Sequence, residues 1–110
     1  MSLEDIQSII FNDLNLCGCM DESALTLLLE CLFYCKNLHE KIRSIEIELW
    51  DSMVQRLFSG NQGAAYCTFS LLDVASLIEH GASIRGSWLT EKGEVFLEGV
   101  TKYDNSTLLE

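Results

Sequence analysis

No proline occurs in the 110 residues, and only seven Lys and Arg stand against seventeen Asp and Glu, a formal charge of −10 at neutral pH. Without proline, breaks between elements fall to Gly, Asn and Asp, which gather at 12–19, around Asn37, over 59–63 and over 81–86. The scarcity of cations argues against an ordinary nucleic-acid binder, which neutralises phosphates with clustered Lys and Arg. Here Lys36, Lys41, Arg43, Arg56, Arg85, Lys92 and Lys102 are scattered. Also lacking are low-complexity tracts, internal repeats and any apolar run near the roughly 18 to 20 residues of a membrane span. The opening Met1-Ser2-Leu3-Glu4-Asp5 is acidic where an export signal opens basic. A chain that stays in the cytoplasm is therefore expected, its five cysteines reduced or metal-bound rather than forming a disulfide framework.

What is present is an apolar fraction of 48%, enough for one core in a chain of this length. It also leaves apolar surface for a partner or a second copy, so a homo-oligomer or a bound partner is expected. The acidity has two readings, attraction to a basic protein surface or plain solubility.

Helical periodicity runs through most of the chain. Ser2 and Asp5 have capping-box spacing ahead of Leu3, Ile6, Ile10 and Leu14. Asp21 can cap a second helix over 22–36 that is apolar nearly all round, from Ala24 and Leu25 to Leu32, Phe33 and Tyr34, and so is expected to be buried. A third helix is predicted over 39–58. Within it Glu46 falls in the apolar arc and is expected to pair with Arg43 or to meet another subunit, while residues 45–49 also alternate with strand period. A fourth, low in polarity, covers 64–75, with Tyr66, Phe69, Leu71 and Leu72 to pack. A glycine-bracketed hairpin follows at about 77–89. A last helix is capped by Thr90, with Val95, Phe96 and Val100 on its inner side. The expected fold is thus mainly α, about five helices with a small C-terminal β-hairpin, forming one domain over 1–103 with a tail over 104–110.

Two resemblances add to this. The Leu77-Ile78-Glu79-His80-Gly81 to Trp88-Leu89-Thr90-Glu91-Lys92-Gly93 segment resembles the wing and closing helix of winged-helix regulators, which implies a winged-helix-like C-terminal half. In that family the helix before the wing reads bases with polar and cationic side chains. No Lys or Arg occurs between Arg56 and Arg85, so the shape can carry over without the DNA reading. Leu16-Cys17-Gly18-Cys19 with Asp21, together with Glu79-His80-Gly81, Ser83 and Gly86-Ser87-Trp88-Leu89-Thr90 to Gly93, resembles a family of small uncharacterised bacteriophage and prophage proteins. That family's usual Gly-Asp-Pro after the second cysteine is replaced by Met20-Asp21-Glu22. The resemblance implies a bacterial or viral cytoplasmic setting and brings no established chemistry.

Cys17, Cys19, Cys31 and Cys35 have a four-thiolate zinc reading, since Cys31 and Cys35 share a helix face. Against it, the spacing is unusual and free cysteine in an apolar helix behaves as a small hydrophobe. Cys67 with His80 is a weaker nucleophile and base pair, with nothing local to activate the thiol. The favoured candidate site is the hairpin, where His80, Ser83, Arg85, Ser87, Trp88, Thr90 and Lys92 concentrate donors able to grip an anion or a partner's backbone. The competing reading is structural, with Trp88 plugging the core and Thr90 capping the helix. No cofactor is expected. The functional expectation is a non-enzymatic phage or prophage binding protein that modulates or inhibits a host protein with a basic surface, a defence component being one class of target. The alternatives are a sequestering protein for an anionic ligand or nucleotide signal, with Arg85 and Lys92 as counter-charges, and a winged-helix DNA-associated regulator.

Overall fold

A computed structural model describes residues 1–16, 22–39 and 46–109. The first helix, α1 (Leu3–Ser8), starts with the capping box: the Asp5 amide donates to Ser2 Oγ at 3.2 Å and the Ser2 amide donates to Asp5 Oδ2 at 3.1 Å. These Ser2 hydrogen bonds hold the Asp5 carboxyl below its ordinary range. The helix continues as a π-helical turn over Ile9–Asp13. Ile6, Ile10 and Leu14 are spaced by four, which outruns the 3.6-residue α period, and the wider turn keeps all three buried on one side together with Ile9.

Helix α2 (Glu22–His39) extends beyond the 22–36 predicted, and α3 (Glu46–Phe58) takes up the later part of the third predicted helix. Its helical course through Ile47, Glu48 and Leu49 removes the strand alternative there. The proposed Glu46–Arg43 pair and the Asp21 cap lie outside the described residues. Helix α4 (Gln62–Val74) begins under Asn61, whose Oδ1 accepts the Ala64 amide at 3.0 Å. Strand β1 (Ile78–Glu79) then pairs antiparallel with β2 (Trp88–Leu89), Ile78 opposite Leu89 and Glu79 opposite Trp88. This is the expected C-terminal hairpin in a mainly helical protein, its loop folded round a 3-10 turn at Ile84–Gly86. Helix α5 (Glu91–Val100) and the short α6 (Asn105–Leu108) follow.

Residues after Tyr103 were expected as a tail. Residues 105–108 are instead helical, with Leu108 fully buried and Asp104 Oδ1 accepting the Thr107 amide at 2.8 Å. The Ser106 hydroxyl and that amide together hold the Asp104 carboxyl below its ordinary range. Gln7 Nε2 also donates to Thr107 O at 3.2 Å, tying the two ends of the chain together.

Two further expectations about the core are corrected. Trp88 is only half-buried, and the indole at the centre is Trp50, fully buried against Phe69. Val95 is 36% exposed, so the inner side of α5 is made by Gly93, Phe96, Leu97 and Val100.

The backbones of α4 and α5 meet closely at their junction. Helix α4 ends in a Schellman motif: the Leu77 amide donates to Leu72 O at 3.0 Å, the Ser76 amide to Asp73 O at 2.9 Å, and Ser76 is left-handed with φ +63°. Three successive carbonyls are then met from α5. Ala75 O accepts Lys92 Nζ at 2.9 Å, Ser76 O accepts the Thr90 hydroxyl at 2.6 Å, and Leu77 O accepts the Thr90 amide at 3.1 Å. The first turn of α5 lies so close over Leu77 that a Cβ on Gly93 would stand 2.0 Å from the Leu77 carbonyl oxygen.

Gly93→Ala is therefore expected to destabilise the fold by about 2 kcal/mol or more. Gly81→Ala, with open space around its Cβ position, should cost far less, and paired denaturant melts check the difference. Ser76→Gly removes the left-handed penalty of roughly 1–2 kcal/mol at the cost of about 0.5–1 kcal/mol in unfolded-chain entropy. A net gain of about 0.5–1 kcal/mol is expected from the same melts.

Candidate functional site

The hairpin residues singled out by sequence are brought near one another in pairs, and their polar atoms are largely engaged in holding backbone. Ser83 caps the 3-10 turn, its Oγ accepting the Arg85 amide at 3.2 Å and facing Arg85 Nε at 3.4 Å. Ser87 is 1% exposed and donates its hydroxyl to Ile84 O at 2.5 Å. The carbonyl of Arg85 accepts the Tyr34 hydroxyl at 3.2 Å, which anchors the loop to α2. His80 is turned the other way: Nδ1 lies 2.9 Å from Gly81 O and Nε2 lies 3.4 Å from Asp73 Oδ2.

Thr90 and Lys92 sit on the α4–α5 junction. Besides Ser76 O, Thr90 Oγ1 serves the Gly93 amide at 2.9 Å as helix cap. Besides Ala75 O, Lys92 Nζ contacts Asp13 Oδ2 at 2.8 Å, so its charge is shared between a carboxylate and the C-terminal end of α4. The two proposed counter-charges, Arg85 and Lys92, thus serve different partners and do not converge on one anion. The geometry supports the structural reading of this set, with the exception of Trp88.

Cysteine chemistry divides by burial. Cys31 and Cys35 are fully buried in α2. Burial pushes the Cys31 thiol up to about 12 and pushes Cys35 up as well, the neighbouring Cys31 adding to the latter. Cys17 and Cys19 lie outside the described residues, and among the described residues no group of three or more His, Cys, Asp or Glu is placed to hold a metal ion. Cys67 is exposed on α4. His80 directs both ring nitrogens at acceptors of its own and leaves neither turned to that thiol.

A different surface draws attention. Helix α2 was expected to be buried all round, yet Phe33 is 38% exposed. It stands between two open grooves and lines both. One, about 330 Å³, runs between α2 and α3 over Tyr34, Leu38, Leu49 and Met53, with Asn37, Ser52 and the Glu30–Arg56 pair at its edges. The other, about 270 Å³, is bounded by Lys36, Leu89, Leu97 and Thr101 and by Glu94 and Glu98 of α5. Arg56 Nη1 lies 3.3 Å from Glu30 Oε2 in a solvent-exposed pair that adds little stability. The signal for this ridge was in the sequence: Glu30, Phe33, Lys36 and Asn37 recur at three and four and share one face of α2.

Compared with protein-family models, with curated proteins and with solved structures, the chain matches none. No helix among the described residues is long and apolar enough to cross a membrane.

A thiol reagent applied to the native protein should modify Cys67 and leave Cys31 and Cys35 intact until the protein is unfolded, since the thiolate is the reactive form and burial suppresses it. Peptide mapping before and after denaturation reads the result.

Proposed function

We propose that this is a small acidic binding protein of the phage and prophage type, acting by contact with a basic surface of a host protein rather than by catalysis. The observation that carries the reading is the Phe33 ridge. An aromatic side chain is left 38% exposed between two grooves, one largely apolar and one of mixed lining, with Glu30, Glu94 and Glu98 as well as Lys36 and Arg56 along their rims, on a chain of net charge −10. Exposed aromatics set among polar rims are what protein interfaces use as anchors. An acidic field speeds the approach of a cationic partner and orients it. The bacterial cytoplasmic setting, and a host defence component as the first class of target, rest on the resemblance carried by Leu16-Cys17-Gly18-Cys19 and by Glu79 to Gly93.

Support for the anionic-ligand alternative weakens once Lys92 is spent on Asp13 and Ala75 O. The DNA-regulator alternative still lacks cations on α4.

The full chain immobilised and exposed to bacterial lysate should retain a saturable partner at low salt and lose it at high salt. Phe33→Asp should lose it at both, with melting temperature near that of the parent. Equal retention by Phe33→Asp, or no saturable partner, overturns the reading.

A further inference from the structure

We propose that the groove between α2 and α5 receives an arginine side chain of the partner, and that an acidic residue beside that arginine meets Lys36. This rests on the host-protein reading above and names the chemistry of one of its contacts. The groove, about 270 Å³, lies just under the roughly 300 Å³ at which small-molecule pockets begin. That size suits a protruding side chain better than a whole ligand. Its lining combines Phe33, Leu89 and Leu97 with three charged side chains, Lys36, Glu94 and Glu98.

Charge selects the occupant. Glu94 and Glu98 stand one turn apart on α5, where like charges repel, and among the described residues neither carboxylate is in an ion pair. Lys36 shares their groove and, among the described residues, is likewise outside any ion pair. The groove between α2 and α3 differs on this point. Its two charged residues, Glu30 and Arg56, are already joined at 3.3 Å, so it asks a partner for apolar contact alone. Over the α2–α5 groove, a partner without charge would strip water from three unpaired ions and return nothing to them. A partner that brings a cation to the two carboxylates and an anion to the lysine matches all three.

Of the two basic side chains, arginine fits. Its planar fork bonds two carboxylates at once, its weaker hydration lets it leave water more readily than an ammonium, and its flat face stacks on an aromatic wall such as Phe33 supplies. Leu89 and Leu97 offer apolar contact to its stem. In so small a groove the acidic residue must be the arginine's neighbour. Phe33, which lines both grooves, then stands between an apolar residue of the partner on one side and the arginine on the other.

Titration of the methyl-labelled full chain at low salt with two capped dipeptides, acetyl-Arg-Glu-amide and acetyl-Glu-Arg-amide, tests this by NMR. The Leu89 and Leu97 methyl resonances should shift saturably with at least one order, and less with its counterparts carrying lysine for arginine or glutamine for either residue. Combining Glu94→Gln with Glu98→Gln should weaken binding about fivefold or more and remove the preference for arginine over glutamine. Lys36→Gln should remove the preference for glutamate over glutamine. All three positions are exposed, so circular dichroism and melting temperature should stay near those of the parent. No shift at Leu89 and Leu97 with either order, lysine peptides binding as well as arginine ones, or binding indifferent to the two glutamines overturns the proposal. The host-protein reading is judged separately: a lysate partner retained equally by wild type and by the double glutamine variant, but lost by Phe33→Asp, leaves that reading standing and removes the arginine from it.

Discussion

The indole of Trp50 is where the fold is decided. It is fully buried, and a buried tryptophan needs a partner for its N–H. Gln62 at the start of α4 supplies it, Oε1 accepting Nε1 at 2.8 Å while Nε2 of the same amide donates to Asp51 Oδ1 at 3.3 Å. Three more aromatic rings close on the indole: Phe69 at 5.0 Å and Tyr34 at 6.1 Å edge-on, and Tyr66 at 5.2 Å. Helices α2, α3 and α4 thus meet at one ring, and the reach of a single glutamine sets where α4 begins relative to α3. Tyr34 extends the arrangement, since its hydroxyl holds the Arg85 carbonyl and with it the hairpin loop.

That arrangement explains why the hairpin, so rich in donors, has little left to offer a ligand. Eight residues, 80–87, separate two strands of only two residues each, so few of the loop's backbone groups are paired within the ladder. Ser83 and Ser87 supply missing partners within the loop, and Thr90 and Lys92 do so for the end of α4. Polar residues crowd this stretch because the backbone there requires them. Among the described residues, Phe33 of α2 is left exposed between two grooves rimmed by Glu30, Glu94 and Glu98 together with Lys36 and Arg56.

Much of this was legible beforehand where the signal was local. The Ser2–Asp5 box, the Thr90 cap and the hairpin near 77–89 depend on residues a few positions apart, and each stands where the pattern placed it. The errors share a cause. Trp88 was assigned the core because it is large and apolar, but which tryptophan is enclosed depends on helices that approach from elsewhere in the chain. Phe33 was assigned to the interior of an apolar helix, although the polar residues three and four away already marked its face as the outer one. Leu108 lay in a segment too short to show a period, and its burial depends on α6 reaching back toward α1, where Gln7 meets Thr107 O.

By itself, then, the amino-acid order determined the helical class, the caps, the single-signed charge and the absence of cations on α4, because these depend on composition and on neighbours within one or two turns. Tertiary structure alone decided which aromatic is enclosed, which donors are consumed and which apolar side chains remain in water. Those outcomes follow from contacts such as Tyr34 with Arg85, Lys92 with Asp13, and α5 lying over the Leu77 carbonyl at Gly93. Each joins parts of the chain that only packing brings together.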